Sequence, residues 1–268
     1  MKLPDHFSFS QYNLQDYVDC KFRFLLKHIH QLAWPAIESE PLLLQEARME
    51  LGQQFHRLVQ QYFIGVEPGV LSNSIQTSEL ADWWQAFLSL KINEQPGTKQ
   101  AEKMLSVSLN GHRLVAKFDL LLQRSSSSYT IYDWKTSTQA PSIRHLQGRL
   151  QSHVYPLVLW LSVTNSVTPP QNLPEIEMVY WFPAFPEVSL RFEYTHSNYE
   201  QDLDYLTHLI DEIQEMKEED FTRTTDVKRC AYCQYRSLCD RGISAGALTP
   251  GSEVDSPDSD FYLDFDSL

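Results

Sequence analysis

The 268-residue chain has no uninterrupted apolar run of eighteen residues, so it offers no candidate membrane-spanning helix. Met1–Phe9 holds no long apolar run either. No secretory leader is therefore expected, and the chain reads as cytoplasmic. Basic residues are scarce: 22 Lys and Arg stand against 35 Asp and Glu, a net charge of −13. That balance argues against a protein that grips nucleic acid through a global positive field. Phosphates would have to be met by local basic patches or by metal ions. Cysteine is rare, at four residues. In a cytoplasmic setting so few thiols point to metal ligands or plain thiols, not to disulfides. Internal repeats are absent, and so is a helicase motor.

What the chain does have is enough apolar residue, 42%, for a sizeable core. Its length suits one large domain or two small ones. The last 25 residues, Ser244–Leu268, carry six acids and no Lys or Arg. They read as a disordered acidic tail, with Phe261, Tyr262, Leu263, Phe265 and Leu268 as a possible docking element for a partner.

The central stretch runs from His112 to Lys135. Two β-like runs, Leu114–Gln123 and Tyr129–Lys135, flank a serine turn at Ser125–Ser128. Asp133 and Lys135 are two apart, so they share a strand face at about 7 Å. A hairpin centred on the serines brings Asp119 opposite Asp133 or within a residue of it. Two carboxylates and an ammonium then converge. Such carboxylates can hold Mg²⁺ or Mn²⁺, and a lysine beside them can orient or deprotonate a water. Taken alone, an Asp–Lys pair on an exposed strand is ordinarily solvated and worth little.

The rest of the chain supplies context. Helices are expected over Phe9–Ile29 (N-cap Ser10), Leu42–Phe63, Ser78–Ile92, Ser142–Leu161 and Asn198–Met216. Strands are expected at Ala101–Leu109, Glu177–Phe182 and Val188–Tyr194. Asn110-Gly111 is a hairpin turn. Trp34–Pro41, Glu67–Thr77 and Pro169–Pro174 read as loops. In the second helix, Gly52 and His56 form G-x-x-x-H, where a glycine lets another element approach the imidazole. A lone His there is more often simply packed. Gln151 and Tyr155 stand one turn apart on the fourth helix.

The C-terminal cysteines read C-x2-C-x5-C at Cys230, Cys233 and Cys239. Cys20 lies more than two hundred residues earlier. Four thiolates suit Zn²⁺ or an iron–sulfur cluster. If all four bind one centre, they staple the start of the fold to its end. Closing so long a loop removes roughly 5 kcal/mol of entropy from the unfolded chain.

At this point the chain resembles the RecB-type nucleases of the PD-(D/E)XK superfamily. More narrowly, it resembles the branch with a 4Fe–4S cluster, which includes CRISPR-associated exonucleases and AddB-type nuclease domains. Gly52 and His56 match the G-x-x-x-H helix, and Asp119 the aspartate of G-x-x-D. Asp133-Trp134-Lys135 match D-x-K, and Gln151 and Tyr155 match Q-x-x-x-Y. The four cysteines match the cluster ligands. Ala116 departs from the usual glycine of G-x-x-D. Each motif is weak alone; their joint order is specific.

The resemblance implies a restriction-endonuclease-like α/β fold: a mixed sheet flanked by helices, a helical N-terminal lobe, and a cluster joining the chain ends. Residues 1–243 would form one nuclease domain and 244–268 the tail. It implies Mg²⁺- or Mn²⁺-dependent hydrolysis of DNA, as an exonuclease on single strands or ends, in repair, recombination or CRISPR adaptation. His56, Asp119, Asp133 and the backbone carbonyl of Trp134 would bind metal. Lys135 would serve the water, and Gln151 and Tyr155 would position substrate or water. Cys20, Cys230, Cys233 and Cys239 would hold the cluster. Lys21, Arg23, Lys27, Arg144 and Arg149 would meet flanking phosphates. Unwinding would come from a partner such as a helicase. The competing expectations are a non-catalytic DNA-binding or assembly module on the same fold, and a zinc-stapled scaffold.

Overall fold

The computed structural model describes residues 3–4, 6–34, 40–137, 142–165 and 172–242. The acidic tail lies outside the described residues, as do 35–39 of the first expected loop and part of the third.

The architecture is mixed α/β, with one six-stranded sheet. Its strands are β1 (Ser8–Ser10), β2 (Thr98–Leu109), β3 (His112–Gln123), β4 (Ser128–Trp134), β5 (Glu175–Trp181) and β6 (Ser189–Tyr194). β2 runs antiparallel along the whole of β3. The other edge of β3 is shared: β1 pairs in parallel at Arg113–Val115, and β4 pairs antiparallel at Leu120–Gln123. β5 adds in parallel to β4, and β6 closes antiparallel on β5. The parallel β4–β5 step is crossed by α6 (Ile143–Gln147) and α7 (Leu150–Thr164), as a parallel connection requires.

Helices cover both faces. Against one face lie α1 (Gln11–Asp19), α2 (Lys21–Phe24), α7 and α8 (His196–Glu215). Their core includes Leu14, Phe24, Val154, Leu157, Leu206 and Ile210, packed on Leu114, Phe118, Ile131 and Met178. Against the other lie α3 (Glu40–Phe63), α4 (Pro68–Ser74) and α5 (Ser78–Ser89). There Phe55, Val59, Trp84 and Phe87 pack on Leu120, Leu122, Tyr132, Trp134 and Trp181.

Several local departures have physical causes. The expected helix from Phe9 starts later, because Ser8–Ser10 pairs with β3 as a strand. Ser10 does cap α1, and its hydroxyl accepts the Asn13 N–H while the Asn13 amide oxygen accepts the Ser10 N–H. The helix breaks at Cys20, which is extended at φ −163° and ψ 104°, and a π-helical turn over Leu25–Ile29 follows α2. The Glu67–Thr77 loop contains a short helix, α4, opened by Pro68, whose ring is pre-set for a first helical position. The helix expected at Ser142–Leu161 is two helices. Gly148 ends α6, and Arg149 is extended at φ −83° and ψ 143°.

One irregularity shapes the site. Along β3, Leu114, Ala116 and Phe118 belong to the α1/α7 core, yet Leu120 and Leu122 belong to the α3/α5 core. β2 switches likewise: Leu105 and Val107 pack on the first core, Ala101 on the second. Strict alternation would keep residues of one parity on one face. The switch falls where Glu102 faces Asp119, a pair missing from an otherwise continuous ladder. Glu102 has φ +52°, in the left-handed region that glutamate rarely adopts.

Candidate active site

Asp119 sits at that switch, on the edge of β3 facing β4. The β3–β4 ladder stops at Leu120↔Tyr132, and continuing its register places Asp119 opposite Asp133. The Asp119 side chain takes the place of the missing ladder bond: its Oδ2 accepts the Trp134 N–H at 2.7 Å. Its Oδ1 lies 3.2 Å from Nδ1 of His56, one turn beyond buried Gly52 on α3. Burial pushes the Asp119 carboxyl up. The His56 ring, the Trp134 N–H and the Lys135 ammonium more than reverse this, leaving it below the ordinary aspartate range.

Beyond β4 the chain stays pinned, with the Lys135 N–H donating to the Trp181 carbonyl at 2.8 Å. Lys135, Asp133 and Gln151 form a closed triangle. Lys135 Nζ is 3.0 Å from Asp133 Oδ2 and donates to Gln151 Oε1 at 2.7 Å. Gln151 Nε2 donates to Asp133 Oδ1 at 2.6 Å. Asp133 is 1%, Gln151 3%, Lys135 4% and His56 5% exposed. This is no solvated surface pair. Its groups are held by β4 and by the first turn of α7. Tyr155, a turn further along α7, packs edge-on against Phe118 and accepts from Gln11 Nε2 at 3.2 Å. The Trp134 indole lies in the α3/α5 core, stacked on Tyr132, so only its backbone is available to the site.

Glu102 is the residue that sequence reading missed. Donor atoms of His56, Glu102 and Asp119 lie within 4.8 Å of one another, a spacing that can hold a metal ion. One imidazole and two carboxylates suit a divalent cation such as Mn²⁺ or Mg²⁺. Asp133 is not in that group; its oxygens are engaged by Lys135 and Gln151. Burial, and then the Asp119 charge, raise the Glu102 carboxyl against the pull of Lys117, its ion-pair partner, and of His56. The signal was present: the Asn110-Gly111 turn sets a register that pairs Glu102 with Asp119.

Three of the five basic residues expected at phosphates are engaged in ion pairs. Lys21 pairs with Glu212 at 2.6 Å. Arg23 pairs with Asp16 at 2.8 Å and Asp19 at 2.9 Å, and Lys27 with Asp16 at 3.0 Å. The cause is Asp16, a buried carboxylate that gathers cations around itself. Arg144 is exposed and Arg149 half-buried.

The chain ends do meet. Cys20, Cys230, Cys233 and Cys239 line one cavity, and none forms a disulfide. Tyr235 donates to the Leu32 carbonyl at 2.9 Å, and Trp34 to Ser237 at 2.8 Å. Among the described residues, no three thiols fall within 4.8 Å of one another. A single tetrahedral zinc needs sulfurs about 3.8 Å apart, from Zn–S bonds near 2.3 Å. Among the described residues the thiols are therefore not gathered as ligands of one ion, and their spacing does not by itself support a cluster. Burial raises the Cys230, Cys233 and Cys239 thiols, Cys233 to about 11, against the pull of Arg241, Arg23 and Arg236 at Cys230, of the Tyr235 N–H and Arg23 at Cys233, and of Arg223 and Arg241 at Cys239.

A central mixed sheet flanked by helices, with acids of adjoining strands meeting a buried lysine, is a restriction-endonuclease-like arrangement. The model of the PD-(D/E)XK nuclease superfamily matches residues 8–240, and the chain belongs to that superfamily. A crystal structure of a candidate exonuclease from Eubacterium rectale is similar at a TM-score of 0.53 and 12% identity, covering 91% of this chain and 94% of that one. At that identity the likeness is one of fold. The crystal structure of SSO0001 aligns at a TM-score of 0.42 and 11% identity, over 91% of this chain and 90% of that one. No curated protein matches the chain. Among the described residues, no helix is long and apolar enough to cross a membrane.

Proposed function

We propose that the protein is a Mg²⁺- or Mn²⁺-dependent deoxyribonuclease that hydrolyses phosphodiester bonds in single strands or at DNA ends. The observation that carries this reading is the buried Lys135–Asp133–Gln151 triangle beside the Asp119–His56 pair. A bare binding module has no use for that much buried charge facing a phosphate.

His56, Asp119 and the Trp134 carbonyl would hold the ion, with Glu102 added from β2, and Asp133 would join them once Lys135 or Gln151 yields one of its oxygens. When bound, a divalent ion lowers the pKa of a water and offsets charge on the phosphate. Lys135 orients that water, and its ammonium balances the growing negative charge on phosphate oxygen. Gln151 fixes Lys135 and Asp133 relative to each other. Tyr155 anchors α7 to α1 through Gln11, keeping Gln151 in place. Residues 1–243 form the nuclease domain in this reading, with Arg144, exposed at the surface, and Arg149 meeting phosphates. The four cysteines hold a 4Fe–4S cluster that orders the chain ends and the N-terminal helices. The protein works in the cytoplasm in repair, recombination or CRISPR adaptation. A helicase supplies unwound DNA, and the tail at 244–268 offers a docking element.

Asp119→Ala, Asp133→Ala and Lys135→Ala should each abolish Mn²⁺-dependent cleavage of end-labelled single-stranded DNA while leaving the far-UV dichroism of the fold. Full activity in all three would remove the catalytic assignment and leave a binding module.

A further inference from the structure

We infer that Arg236 is a positioning residue for a thiolate-bound metal centre, supplying the positive charge that the centre needs. The inference rests on the cysteine reading above and deepens it. Arg236 is 6% exposed and lines the cavity shared by the four thiols. Its Nη1 donates to the Ala231 carbonyl and its Nη2 to the Arg241 carbonyl at 3.4 Å. Its Nε has no hydrogen-bond partner among the described residues. No carboxylate among the described residues lies against it, whereas Arg23 and Arg229 both pair with Asp19.

A buried cation without a counter-charge is unfavourable, so an anion is expected to face it. Four thiolates on a dicationic core carry net negative charge and meet that need. The segment between Cys233 and Cys239 therefore carries both the ligands and the charge they require. Its two carbonyl bonds, one on each side of that segment, hold the guanidinium in place. A DNA phosphate is the less suitable anion, since the side chain is buried.

The test uses the full chain, purified anaerobically, with Arg236→Gln and Arg236→Lys. Iron and sulfide are assayed first, then the one-electron reduction of the centre in a mediated dithionite titration. Reduction adds one electron to the core, so its equilibrium reads the local charge. Arg236→Gln should disfavour reduction about tenfold, which is about 59 mV for one electron, while Arg236→Lys stays near wild type. An unchanged potential in iron-replete Arg236→Gln overturns the inference but leaves the cluster standing. Loss of iron from both variants also overturns it, making Arg236 a clamp on its two carbonyls. If only Arg236→Gln loses iron, the charge requirement is supported. Zinc in place of iron would refute the cluster; faster chelator stripping of zinc from Arg236→Gln than from Arg236→Lys would still support the inference, and equal stripping would overturn it. Wild-type protein with no metal refutes both. An unchanged potential with about tenfold weaker DNA binding in Arg236→Gln assigns the residue to a phosphate and overturns the inference.

Discussion

The triangle of Lys135, Asp133 and Gln151 makes a stability prediction that needs no assay of activity. Asp133→Ala removes a carboxylate that is 1% exposed, leaving an ammonium that is 4% exposed. Removing one partner of a buried ion pair costs about 3–5 kcal/mol. Two details move the value within that range. Asp119 still acts on Lys135 electrostatically, which lowers the cost. Gln151 Nε2 loses its acceptor, which adds about 1 kcal/mol or more. The expectation is about 3–4 kcal/mol in EDTA. Urea unfolding followed by tryptophan fluorescence reads it directly: with a slope of about 2–3 kcal/mol/M, the midpoint should fall by roughly 1–2 M. The double variant Asp133→Ala with Lys135→Met should recover most of the loss, because the uncompensated charge goes with its partner. A single variant within about 1 kcal/mol of wild type would refute the reasoning. So would a double variant as unstable as the sum of its parts.

Three further outcomes follow from the geometry. Asp16→Ala should destabilise the protein by about 3–5 kcal/mol, because Arg23, Lys27 and His28 all converge on that one buried carboxylate; a midpoint within 1 kcal/mol of wild type would refute the hub. Gly97→Ala should cost more than Gly111→Ala, as measured in urea. Both have positive φ, but a methyl at Gly97 would meet the Gln123 carbonyl oxygen at 2.5 Å, while Gly111 has open space and should lose only about 1–2 kcal/mol. The Lys21 hydrogen bond lowers the Glu212 carboxyl, with Tyr17 assisting against partial burial. A depressed carboxyl stabilises above its unfolded value and loses that contribution as pH falls through its folded value. Glu212→Gln should therefore be less stable than wild type at pH 7, by under about 1 kcal/mol for so exposed a pair. The gap should close below the ordinary glutamate range, and a gap that widens in acid would refute the assignment.

Much of the site was legible because strand geometry is local. D-x-K spacing puts Asp133 and Lys135 on one face, and the serine turn sets the register that brings Asp119 opposite. The helix of Gln151 follows from its apolar spacing, although the break at Gly148 does not. What escaped the sequence depends on partners remote in the chain. Ser8–Ser10 is a strand only because β3 leaves an edge open where β4 diverges. Lys21, Arg23 and Lys27 look like a basic patch until Asp16, Asp19 and Glu212 fold against them. Fixed alternation also hid the change of face in the β2–β3 hairpin. Nothing in a periodic pattern announces that both strands turn over together at one pair.

That pair, Glu102 and Asp119, is where stability and function should separate. Glu102 holds a left-handed conformation in mid-strand, a cost of about 1–3 kcal/mol that the surrounding structure must offset. Its compensation is the half-buried ion pair with Lys117, worth about 1 kcal/mol, against repulsion from Asp119. Glu102→Asn removes the charge and installs a residue that tolerates φ > 0. Loss of the ion pair and relief of strain and repulsion should nearly cancel, leaving unfolding in EDTA within about 1 kcal/mol of wild type. If Glu102 donates to the ion, its loss should weaken Mn²⁺ binding by calorimetry about 10- to 100-fold, the range seen even for outer-shell partners. A residue that only shapes the strand would give the opposite pattern, with Mn²⁺ affinity retained and stability moved. Unchanged Mn²⁺ affinity would therefore remove Glu102 from the metal site and leave the change of face as a feature of packing alone.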